Sequence, residues 1–106
     1  MRLRRGRFGE LVDRQLALFG EDESALLAEA DEAEAAWVRA GRDEAEESYG
    51  DFQLVVDAIA DGLLELREAY AVTLDEAGAD EYRRAFHAGV ARRFKRYASL
   101  VADLEP

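Results

Sequence analysis

The sequence contains no cysteine. Disulfides, thiolate zinc sites and cysteine-held iron–sulfur clusters are therefore excluded, and the chain suits a reducing compartment, so a cytoplasmic location is expected. Proline occurs once, at Pro106. Nothing in the interior removes a helical N–H or forces a kink. No run of about 18 apolar residues is present, which leaves no candidate for a membrane span. Arg4 and Arg5 stand where a twin-arginine signal would have them. Glu10, Asp13 and Arg14 come next instead of an apolar stretch, so no targeting segment is expected. Histidine occurs once, as His87, and lysine once, as Lys95.

What is present is enough apolar mass for one folded domain. The 106 residues are 49% hydrophobic, and a chain of this size buries roughly 60–70% of its unfolded surface. The formal net charge is −10. That charge favours solubility and opposes nucleic acid and anionic membrane on average. It is unevenly placed. Residues 1–7 carry Arg2, Arg4, Arg5 and Arg7 without an acid, and read as a flexible basic arm before a domain over 8–106. Residues 83–97 carry Arg83, Arg84, Arg92, Arg93, Lys95 and Arg96, again without an acid, and the middle is strongly acidic. Such a chain either folds its basic helix onto its acidic ones or pairs head-to-tail with a copy.

The apolar period is helical throughout, and no alternation of period two suggests a strand. The spacing predicts helices over 8–19, 23–40, 43–77 and 80–104. In the first, Phe8, Leu11, Val12, Leu16 and Phe19 share a face with Gln15 in its middle. Gly20 then reads as a stop, with Asp22 or Ser24 as the next N-cap, although one continuous helix through Gly20 remains an alternative. Leu26, Ala30, Ala33 and Trp37 make a narrow second stripe. Gly41 reads as a turn, with Asp43 capping the third helix. That third segment has the longest seam: Ala45, Tyr49, Phe52, Val56, Ile59, Leu63, Leu66, Tyr70, Leu74 and Ala77, at spacings of four or three. Gly78 reads as its stop and Asp80 as the next cap. The answering seam is Tyr82, Phe86, Val90, Tyr97, Leu100 or Val101, and Leu104, with Phe94 at its edge. The expected fold is all-α: a small bundle of two shorter helices followed by a long antiparallel helical hairpin.

Few residues suggest chemistry. A bundle metal site of the Glu-x-x-His type needs an acid three before His87, and Arg84 stands there. A site made by His87 with Glu34, and Asp31 beside it, is the metal or small-ligand alternative. The many carboxylates read as a solvated face, and no acid/base pair for hydrolysis stands out. Arg92, Lys95 and Arg96, interleaved with Phe94 and Tyr97, form a basic patch that is the candidate for nucleic-acid contact. Arg93 falls within the apolar arc of the last helix and Arg67 flanks that of the third. Each either snorkels past apolar neighbours or forms a buried or interfacial pair with a carboxylate. Leu54 and Val72 point away from the long seam and Leu64 lies to its side, so that helix is expected to contact something on more than one face.

Residues 37–49 resemble the helix–turn–helix corner of a tetratricopeptide repeat, through Trp37, Gly41, the run Asp43-Glu44-Ala45, and Tyr49. The resemblance covers this corner only, without the closing proline or a second copy, and implies a tight helical turn and no function. The overall expectation is a non-enzymatic helical oligomerisation or protein-interaction module without cofactor, dimeric in preference. Its interface would be formed by Leu54, Leu64, Arg67, Val72 and Arg93.

Overall fold

The computed structural model describes residues 6–103. Nearly all of them are helical and none of the described residues lies in a strand, so the fold is all-α. The order is α1 (Gly9–Asp22), α2 (Ser24–Arg39), α3 (Ala45–Ala71), α4 (Glu76–Arg93) and α5 (Ala98–Asp103), with a 3-10 turn over Lys95–Tyr97 before the last. No described helix is long and apolar enough to cross a membrane. Residues 1–5 of the expected basic arm, and Leu104 of the last seam, lie outside the described residues.

The helix ends differ most from expectation. Gly20 does not stop α1; the break falls on Glu23 alone. Its N–H still bonds to Phe19 O at 2.8 Å, and its carbonyl accepts from Leu27 N at 2.9 Å. Helical bonding therefore passes through the bend. Neither Asp22 nor Ser24 caps α2, because Glu23 holds that position without a side-chain bond. At the second break Gly41 does mark a turn: Ala40 becomes extended (φ −63°, ψ 138°) and residues 40–44 reverse the chain. Asp43 is not the cap, since Glu44 precedes α3.

The third boundary is displaced furthest. α3 ends at Ala71, and α4 starts at Glu76 with Asp75 as N-cap, its carboxylate accepting from Gly78 N at 2.7 Å. Gly78 thus lies inside the first turn of α4 and does not terminate α3. A Cβ there would stand 2.9 Å from Asp75 Oδ1, so the glycine permits the close cap and supplies no left-handed turn. The last helix is also broken where no glycine or proline announces it. Phe94 (φ −131°, ψ 53°) interrupts it, and its ring meets Phe19 edge-on at 5.7 Å.

The core joins all the helices at one end. α1 packs on α4, α2 on α3, and α3 on α4 and α5. Val12 and Leu16 from α1, Ile59 and Leu63 from α3, Tyr82, Phe86 and Val90 from α4, and Val101 from α5 are almost wholly buried. α3 and α4 run antiparallel, with Tyr70 meeting Tyr82 at 4.8 Å and Glu68 meeting Arg83 at 2.9 Å. Their shared seam is shorter than the sequence implied, because α4 also packs on α1 and α3 gives its first half to α2.

That first half projects. The molecule measures 50 × 33 × 23 Å with a radius of gyration of 15.9 Å, against about 13 Å for a compact chain of this length. Ala30 is the one buried residue of α2, and burial in α3 begins at Val56. No residue from 31 to 55 is buried. α2 and the start of α3 therefore form a two-helix arm standing out from the core.

Candidate functional site

Three groups of side chains require a functional account. The first lies between α3 and α4, where Arg67 retains only 1% exposure. A buried guanidinium needs acceptors, because an unpaired buried charge is costly. Arg67 Nε donates to Glu68 Oε2 at 2.7 Å and Nη1 to His87 Nε2 at 2.7 Å. Arginine only donates, so His87 must accept at Nε2, and the contact holds for the neutral imidazole. Arg83 closes the cluster by donating through Nε and Nη2 to both oxygens of Glu68, at 3.0 and 2.9 Å. The Arg83 bonds, followed by those of Arg67, hold the Glu68 carboxyl down at about 2. One carboxylate bonded to two guanidinium groups, one of which also holds an imidazole, is a device for fixing the register of two helices. Nearby, Gln15 accepts from Tyr82 Oη at 2.7 Å. Burial pushes the Tyr82 phenol up to about 12.

The second group ties the arm to the end of the chain. Arg96, in the 3-10 turn, donates to Asp31 Oδ1 at 2.8 Å and also to Glu34 Oε1, both on α2. The break at Phe94 is what brings Arg96 round to α2. The two carboxylates of the metal alternative are therefore engaged by Arg96, while His87 is held by Arg67. Glu34 and His87 are not brought together, and among the described residues no group of three or more His, Asp or Glu could hold a metal ion. The basic patch is likewise divided. Arg96 turns to α2, Arg92 reaches Asp13 of α1 at 3.3 Å, and Lys95 is exposed.

The third group is the surface of the arm. Trp37 meets Tyr49 at 4.8 Å and stacks with Phe52 at 5.7 Å, so the aromatic corner near Gly41 closes on itself. Tyr49 remains 45% exposed, Leu54 71% and Val38 75%. Beside Leu54 a groove of about 490 Å³ runs between α2 and α3, lined by Ala33, Ala36 and Val55, with Glu29, Glu32 and Asp51 along it.

The five residues assigned to an interface are divided by this arrangement. Leu54 and Val72 are exposed, Leu64 is half-buried against the core, and Arg93 is exposed because α4 ends there. Arg67 is buried, and it bonds Glu68 and His87 of its own chain. Val38, Tyr49 and the Glu29, Glu32 and Asp51 wall, which the periodicity does not single out, also lie on the exposed surface of the arm. The alanine-rich stripe of α2 was the available signal, since Ala30 and Ala33 bury too little to seat a long seam opposite them. Comparison of the chain with protein-family models, with curated proteins and with solved structures finds no match in any of the three.

Proposed function

We propose that the protein is a non-enzymatic helical interaction module that works through the α2–α3 arm, by self-association or by holding another protein. The supporting observation is that residues 31–55 contain no buried side chain although Trp37, Val38, Tyr49, Phe52, Leu54 and Val55 lie among them. Fully burying one such side chain stabilises by about 1.5–3 kcal/mol. An arm that leaves several of them in water gains by docking. The core at the other end, fastened by the Arg67, Glu68, Arg83 and His87 cluster, supplies a rigid base for that arm. The metal alternative has less support, because Arg96 engages Asp31 and Glu34 while Arg67 holds His87.

A photoreactive benzophenone amino acid in place of Leu54, with Glu76 as the control position, tests the proposal in the native cells. Crosslinks to protein at position 54 and none at 76 are the expected result. Equal labelling at both positions, or none at 54, would overturn it.

A further inference from the structure

We propose that the arm's partner is a second copy of this chain, with the acidic groove around Leu54 of one copy seated against an arginine-lined cleft beside Phe8 of the other. This rests on the interaction reading above and names its partner.

The cleft lies where the turn before α1 meets α4. It has a volume of about 530 Å³ and is lined by Phe8, Ala85 and Ala88, with Arg7, Arg84 and Arg92 around them and Glu81 as its one acid. Groove and cleft are built alike and charged oppositely. Each has small apolar residues on its floor; one carries three carboxylates and the other three guanidinium groups. Leu54, at 71% exposure, is the projecting apolar group on the acidic side. The same polarity holds over the whole molecule. Residues 21–66 contain fifteen acids against Arg39 and Arg42, while the remainder has nine acids against twelve bases.

One copy cannot satisfy both surfaces alone. Phe8 touches Tyr70 near the end of α3, with ring centroids 6.3 Å apart. Leu54 lies sixteen residues earlier on the same helix, about 24 Å away at 1.5 Å per residue. A continuous helix holds groove and cleft apart, so their pairing must be between molecules. Arm against arm would set Glu29, Glu32 and Asp51 against their own copies, which like-charge repulsion opposes. Arm against cleft pairs opposite charges and covers Leu54 with Ala85 and Ala88, above the buried Phe8. A contact between two different patches either closes reciprocally into a pair or extends into a ring or filament.

Sedimentation velocity on the full chain at about 0.1 M and about 1 M salt, where the screening length falls from about 10 to about 3 Å, tests this. Self-association at low salt that weakens at least tenfold at high salt is expected. Glu29→Lys with Glu32→Lys and Asp51→Lys should abolish it. So should Arg84→Glu with Arg92→Glu. All five positions are exposed, but Arg92 also bonds Asp13 of α1, so circular dichroism checks that the double variant keeps its fold, and Arg84→Glu alone is the second variant that leaves this bond in place. Mixing the two monomeric variants should restore a 1:1 pair, because each keeps the surface the other lacks. A wild-type monomer at low salt and high concentration would overturn the inference, as would association that survives Arg84→Glu with Arg92→Glu. Crosslinking from Leu54 to a different protein, with a wild-type monomer, would reject the second copy and leave the interaction reading standing. No crosslinking at all would reject both.

Discussion

A guanidinium with 1% of its surface in water must find its acceptors inside the protein, and Arg67 finds them on both sides of a helix pair. The sequence placed Arg67 at the flank of an apolar arc, which shows that its charge needs an answer. It did not show which answer. The choice between a snorkelling stem and a buried pair depends on where Glu68, Arg83 and His87 fall. Arg83 and His87 lie on α4, and how α4 packs against α3 is a tertiary fact that the period of either helix leaves open. Glu68 gives this cluster a measurable pH signature. Its folded-state carboxyl sits at about 2, below the ordinary 4.5. A lowered carboxyl contributes stability that is complete above the unfolded value and is lost as pH falls through the folded one. Wild-type protein should therefore lose stability as pH drops from above 4.5 towards 2. Glu68→Gln should flatten that part of the curve while being less stable near neutrality. Urea midpoints measured across the range would check it, and identical pH slopes would contradict the assignment.

At the scale of elements, periodicity predicted the helices well and their ends poorly. Leu74 and Ala77 continue the long seam in register, so the period alone gives no reason to stop at Ala71. The cap that starts α4, Asp75 with Gly78, is nevertheless written in the sequence as an N-cap residue three before a glycine. The break at Phe94 is not written locally at all, since it arises where the Phe94 ring packs against Phe19, seventy-five residues earlier in the chain. The α1 and α4 contact is equally non-local. A Cβ on Gly89 would lie 2.6 Å from Val12 Cγ1 and 2.9 Å from Leu16 Cδ1, both in fully buried side chains. Gly89→Ala gains helix propensity of about 1 kcal/mol, but overpacking a tight core costs about 1–3 kcal/mol. The variant is expected to be less stable overall, with a lower denaturant midpoint. A higher midpoint would mean that α1 can move away without loss.

For the molecule as a whole, the sequence made the all-α class legible and the shape illegible. Tyr49 and Phe52 lie on the same seam as Ile59 and Leu63, yet the first pair stands on the arm and the second in the core. Nothing in the periodicity of α3 separates them. The difference lies in what faces each half: α2, alanine-rich and alone, or α4 and α5 together. Stability should divide in the same way, because low burial makes for cheap local opening. Arg96 is one restraint joining the two parts, through Asp31 and Glu34. Arg96→Ala should speed amide exchange in α2 and the first turns of α3 several-fold and leave Ile59 and Leu63 protected. Uniform acceleration along α3 would show that arm and core open as one unit.

The packing of α1 on α4 also sets the order of events during synthesis. Val12 and Leu16 are made more than seventy residues before Gly89, against which they pack. At about 5–20 residues per second the delay is on the order of several seconds. By the end of that interval α2 and α3 are complete and able to pair locally, while α1 still awaits α4. Until α4 is made the chain therefore exposes Val12 and Leu16, which the folded protein buries, and a fragment ending before Gly89 leaves them exposed.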